Sequence, residues 1–553
     1  MVGSRAARPE PAVMSMETKM TEGLDLQSLI RESLDVKTFQ DEHWEGTFQQ
    51  YLDLVQQNPT VLRTAISEPS SLDPARASTA SDYAVVTRVF SRLVECDAAL
   101  DLRPSLARTW TVSPDGRTYT FRLAPARFHN GREVEAKDVA GTLTRLLAAD
   151  TGGSYPEMLS VVTGARARRL GQAKDVSGIR VLGPHEIEIQ LDEPYAPFLS
   201  LLSAPALSIV PAEEAERAGA SFGRVPLGSG PFRFERWESG HAITLQAHDG
   251  APEGRPPVDT LSFVLMPQTS AARVQELLAQ GALDYVLAPP GPPPAVAGYE
   301  VRSHSELAVF YFGFNVGSGP ATDPRLRRAF RLGIDRPAFA RGMLIDPSMV
   351  TDSIIPTGFP RSVRPVPPPD LEAARALFKE LTVAGRRPHL RLNYTAGRQE
   401  LQDAFAALAA HFASLGLDLE LNRLASFNEL RALQDEGKFE AWFGGAQADY
   451  PDPDGFVRGL FHSRERGSNW FRFNSKHMDE LLERSRRTGE PRERARVFAE
   501  IDDLIAEESP AVPVWNRTYR YYVGSHVQGL ELSYSPYHFP LGKLRLLPKA
   551  GAP

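Results

Sequence analysis

The chain has 553 residues, a formal net charge of -7, 42% apolar and 24% charged side chains. A single hydrophobic core stops growing near ~250–300 residues, so this length predicts two or three packed units. The composition is that of a soluble globular protein. Its mildly acidic balance offers no basic face for nucleic acid, and no stretch approaches the ~18–20 apolar residues that span a bilayer. A single cysteine, Cys96, excludes an intrachain disulfide and a cysteine metal cluster, and it reads as a small core residue.

Residues 1–23 are small and polar, with Pro9 and Pro11, and read as disordered. The first 35 residues hold no apolar run of the ~7–15 residues that a secretory signal requires, which predicts that the chain as written stays in the cytoplasm. Residues 24–60 carry helical stripes: Leu26, Leu29 and Ile30, then Phe48, Tyr51, Leu52 and Val55. Asn58-Pro59 stops them, because a residue before proline avoids the helical region.

From residue 61 strands alternate with helices. Tyr119, Phe121 and Leu123 alternate with Thr118, Thr120 and Arg122, a half-buried strand. The turn Asn130-Gly131 follows, then a helical stripe of Val139, Leu143, Leu146 and Leu147. Ile187, Ile189 and Leu191 mark another strand, and 242–247, 261–266 and 307–315 are further strands. The last, LAVFYFGFN, is almost continuously apolar, as a strand buried on both faces should be. A helix over 399–415 carries Leu401, Phe405, Leu408 and Phe412, with Gly416 at its C-terminal cap. Val497, Phe498, Ile501, Leu504 and Ile505 make an amphipathic helix that Pro510 ends. The class is mixed α/β throughout.

Enzyme signatures fail one by one. Gly-Lys occurs at 437–438 and 542–543, but Phe439 and Leu544 stand where a phosphate loop needs Ser or Thr. Neither Ser229 nor Ser318 has the flanking glycines of a hydrolase elbow. No two histidines stand in an H-x-x-x-H frame. Asp449, Asp452, Asp454 and Gly455 invite a calcium loop, but Tyr450 and Phe461 occupy the positions of its first acid and its glutamate. The reading is of a non-enzyme with no metal and no cofactor.

Several segments together resemble the family 5 extracellular solute-binding proteins, the oligopeptide- and dipeptide-binding components of ABC importers. They are Ser71-Leu72-Asp73-Pro74, the block from Leu102 to Val139, Gly228-Ser229-Gly230-Pro231-Phe232, Phe314-Asn315 with Asp323-Pro324-Arg325, and Ala448-Asp449-Tyr450-Pro451-Asp452-Pro453. The resemblance covers roughly 61–545 and keeps the family's order. It implies a two-lobed periplasmic-binding-protein-like fold of cluster C, with a hinge between the lobes and a small extra subdomain near 104–205. The first lobe is expected over 61–306 plus 511–547, and the second over 307–510.

The resemblance also implies a short peptide or other small solute as ligand and ABC transporter permease subunits as partners, with no nucleic acid and no membrane span. In peptide-binding members of this family an aspartate at the place of Asp449 takes the ligand's free amino group. A partly buried carboxylate is costly alone, and an ammonium offsets that cost when the cleft closes. Tyr450, itself a ligand-binding candidate, and Pro451 are expected to restrict the turn that aims it. Phe439, Trp442 and Phe443 either wall an apolar pocket or pack a core, and Asn393 and Tyr394 are further pocket candidates. The family works outside the inner membrane, which leaves the compartment open.

Residues 39–59 depart from the family. Glu42-His43-Trp44-Glu45-Gly46-Thr47-Phe48 resembles the N-terminus of AAA-type bacterial serine protein kinases. This gives an alternative function: a cytoplasmic ligand-sensing module coupled to a signalling partner through that segment.

Overall fold

The computed structural model describes residues 61–148, 155–266, 271–289, 291, 293–359, 364–395, 397, 399–465, 468–534 and 541–548. These fall within one compact unit. The expected disordered start and the helical, kinase-like segment lie outside the described residues.

Two four-stranded sheets build the first lobe. In one, Val61–Ser67 runs parallel to Thr260–Met266, followed by Ala242–Ala247 and Phe232–Glu238, both antiparallel. Its Leu62, Phe263, Ile243 and Phe232 pack on Val85, Val86 and Val89 of the helix Ala80–Val89. That helix starts at a capping box in which Thr79 and Asp82 satisfy each other's backbone amides. The other sheet is antiparallel, in the order Ala107–Val112, Thr118–Leu123, Glu186–Gln190 and Ile179–Gly183. The alternation seen in the sequence puts Tyr119, Phe121, Ile187 and Ile189 inward, against Val139, Leu143 and Leu146 of the helix Ala136–Leu146. This is the small extra subdomain. Cys96 is buried beside it, with Sγ 3.5 Å from Ser203 Oγ.

The largest sheet has six strands, ordered Tyr285–Leu287, Ala511–Gly524, Tyr299–Phe314, Ala441–Gln447, His389–Thr395 and Asp418–Leu424. Helices cover both faces of its second-lobe end. Phe405, Leu408 and Phe412 of the helix Gln399–Leu415 close one core with Phe312 and Phe443. Val497, Phe498, Ile501 and Ile505 of the helix Pro491–Glu508 close the other with Val309, Tyr311 and Trp442.

Two strands pass between the lobes. Ala511–Gly524 places Val512, Val514 and Trp515 in the second-lobe core, whereas its Tyr519, Tyr521 and Val523 belong to the core of the first sheet. Its antiparallel partner Tyr299–Phe314 breaks register where the cores change: Ser305 faces Thr518 and Val309 faces Asn516, so Glu306, Leu307 and Ala308 stand opposite Arg517 alone. Extra residues of this kind bend a ladder and raise its twist. The molecule is a two-lobed α/β protein with its hinge on these strands.

Candidate functional site: the turn after the central strand

Strand Ala441–Gln447 pairs along its whole length with Tyr299–Phe314, from Phe314–Ala441 to Ala308–Gln447. On its other side the pairing with His389–Thr395 is confined to Leu392–Ala441 and Asn393–Trp442. Beyond Phe443 the strand leaves the core: Gly445 and Gln447 are exposed, and Gly444 and Ala446 are half-buried.

Three residues then make the turn. The Ala448 amide donates to Leu307 O at 2.8 Å, which ties the strand end to the hinge. Asp449 is exposed. Tyr450 dives back into the protein at 3% exposure, and its ring joins the core of the small subdomain across the lobe boundary. Gly455 admits that ring, since a Cβ there would stand 2.6 Å from Tyr450 Cε1. Asp449 is thus held out between two anchored neighbours.

A buried polar cluster anchors Tyr450. Its hydroxyl lies 2.7 Å from that of Tyr195 in the small subdomain, and both hydroxyls lie 3.1 Å from Asp454 Oδ2. Each phenol has one proton, so one hydroxyl donates to the other, which in turn donates to the carboxylate. Arg486 Nε donates to Asp454 at 3.0 and 3.2 Å, and its guanidinium lies 4.6 Å from the Tyr195 ring centroid. Burial opposes ionisation of Asp454, but Arg486 outweighs it and holds the carboxyl below the usual range. The Tyr450 hydroxyl is pushed well above its ordinary value, by burial first and then by Tyr195 and Asp454. Asp452 accepts both Arg494 terminal nitrogens at 2.6 Å and takes the Asp454 amide at 2.9 Å, which stiffens the rest of the turn.

The other expected site residues sit inside. Trp442 is 1% exposed, its indole lying on Gly313 of the paired strand, where a Cβ would come within 2.3 Å. It packs on Phe439 and Phe471 at 5.1 and 4.7 Å between ring centroids. Phe443 points to the opposite core, against Phe312 and Trp515. Tyr394 packs on Phe405 at 4.0 Å. Asn393 donates to Ala441 O at 3.0 Å and accepts from Asn422 at 2.7 Å. All four side chains are buried in the second lobe.

A second polar group, on the first-lobe side, has no counterpart in the sequence reading. Arg92, 1% exposed, pairs with Glu95 at 2.6 Å. Burial, then Glu95, pushes the Glu253 carboxyl up to about 7, although it accepts from Ser105 Oγ at 3.0 Å. Leu100 and Tyr534 nearby pack against the second-lobe core, so this group borders the junction of the lobes. No local pattern in the sequence marks it, because Ser105 and Glu253 reach the Arg92–Glu95 pair from other segments of the chain.

Two lobes joined by crossing strands, with an exposed acidic turn where they meet, define a binding protein of the hinge-closing class. A family model described as "Bacterial extracellular solute-binding proteins, family 5 Middle" matches residues 101–468, and the chain belongs to that family. It is similar to the probable di/tripeptide-binding protein 5 of Pseudomonas aeruginosa (strain UCBPP-PA14), 28% identical over 476 residues, covering 80% of this chain and 88% of the relative. It is also similar to the glutathione-binding protein GsiB of Escherichia coli O6:K15:H31 (strain 536 / UPEC), 24% identical over 466 residues, 80% of this chain and 86% of the relative. The fold resembles the periplasmic murein tripeptide-binding protein MppA in its unliganded open form, with a TM-score of 0.75, 21% identity, and coverage of 88% of this chain and 98% of that one. Among the described residues no helix is long and apolar enough to cross a membrane.

Proposed function

We propose that the protein binds a short peptide between its lobes, Asp449 taking the ligand's ammonium, as the solute-binding component of an ABC-type importer. The observation that carries this is the exposed strand end Gly444–Gln447 leading straight into Asp449. An extended peptide pairs its backbone with such an edge regardless of side chains, while a carboxylate at the end reads the free amino group. The di/tripeptide- and glutathione-binding names of its relatives agree with that chemistry. On this reading the first lobe spans 61–306 plus 511–547, the second 307–510, and permease subunits dock outside the inner membrane.

Calorimetry with free and N-acetylated tripeptides tests it. Asp449→Asn weakens the free peptide by about 10–100-fold, the worth of one charged hydrogen bond, and erases the preference over the acetylated one. Equal affinity of the wild type for both peptides discards the assignment.

A further inference from the structure

The Asp449 turn is held from the opposite lobe. Tyr195 belongs to the small subdomain, where it is 1% exposed and its carbonyl accepts from Tyr119 Oη at 3.2 Å. Its hydroxyl nevertheless ends on Tyr450 and Asp454, the first and last buried side chains of the turn. The next residue repeats the crossing, since the Ala196 amide donates to Arg486 O at 2.7 Å. Tyr195, Tyr450 and Asp454 are each at most 3% exposed, and with Arg486 they bond to one another.

We infer that Tyr195 is a positioning residue for ligand binding: its hydroxyl, acting through Tyr450 and Asp454, sets the turn that aims Asp449 once the lobes are together. The inference rests on the proposed role of Asp449. It gives lobe closure and ammonium recognition a shared set of bonds. A ligand that engages Asp449 thereby stabilises the closed form, and closure sharpens the site.

Tyr195→Phe tests it in the full chain, because the ring keeps its packing and its place over Arg486. Two readouts are taken: calorimetric Kd for trialanine and N-acetyl-trialanine, and hydrogen exchange of the amides of residues 448–454 without ligand. The expected result is a ~3–10-fold rise in Kd for trialanine, the worth of one hydrogen bond, a smaller rise for the acetylated peptide, and faster exchange in the turn. Tyr450→Phe, which cuts the same relay from the other lobe, reproduces the pattern. An equal loss for both peptides makes Tyr195 merely structural and overturns the inference, as does unchanged exchange. If the wild type binds neither peptide, the peptide reading falls by itself. Exchange alone then decides whether Tyr195 holds the turn.

Discussion

At the hinge and at the turn the lobes bury a carboxylate, and the two are treated in opposite ways. At the hinge, Glu306 is 0% exposed and pairs with Arg517, Nε to Oε2 3.0 Å, a guanidinium whose side chain is 46% exposed. Burial raises its carboxyl above the ordinary value, and Arg517 offsets only part of that. At the turn, Asp454 is 1% exposed but receives Arg486 and a phenol relay, and it is held below the ordinary range. Burial is similar; the donors differ. A buried charge strengthens a contact only where enough well-placed donors replace the lost water.

The difference also assigns mechanical roles. The hinge strands are covalently continuous and carry a register break, so they need no strong side-chain bond to stay joined. The turn cluster joins the lobes without a chain connection, so its side-chain bonds carry the contact there.

Breaking the well-served side of this contrast has the largest effect. Arg486→Ala strands the Asp454 carboxylate in the interior and costs about 3–5 kcal/mol in denaturant unfolding. A loss below ~1 kcal/mol, the range of exposed pairs, means that the cluster is open to water. A smaller test leaves the charges and moves the ring. Gly455→Ala crowds Tyr450, so despite the better helix propensity of alanine it destabilises by about 1–3 kcal/mol, read as a lower melting temperature. An unchanged melting temperature shows that the ring shifts without penalty.

The hinge side predicts the opposite sign. The folded-state value of Glu306 lies above its ordinary 4.5, so its favourable contribution is complete below that pH and is lost as pH rises through the shifted value. Glu306→Gln mimics the protonated form. It therefore melts a few degrees higher than wild type near pH 8, and the gap closes below about pH 4.5. A variant less stable at pH 8 shows that Arg517 serves Glu306 as well as Arg486 serves Asp454.

Periodic elements were readable from local pattern. Thr118–Leu123, Gln399–Leu415 and Pro491–Glu508 fall where their alternation or helical stripes place them, because each buries one face. The crossing strand was half readable. Its apolar half over 307–314 stands out, whereas the half from Tyr299 carries Glu300, Arg302, Ser303 and His304 and gains strand character from pairing with Tyr519–Gly524. Asp449 was singled out through resemblance alone, and it lies exposed just beyond the strand end.

The sequence by itself determined the mixed α/β class, the long helices and most strands, and the family, since these rest on short-range periodicity and ordered motifs. Only the tertiary structure decided which neighbours of Asp449 face inward. Trp442 and Phe443 are adjacent aromatics, yet sheet alternation sends them to opposite cores. Tyr450 is no different in the sequence from an exposed turn tyrosine, and its partner Tyr195 lies 255 residues away on the other lobe. Local pattern carries no record of such a pair, because the bond between them forms only when two separately folded surfaces meet.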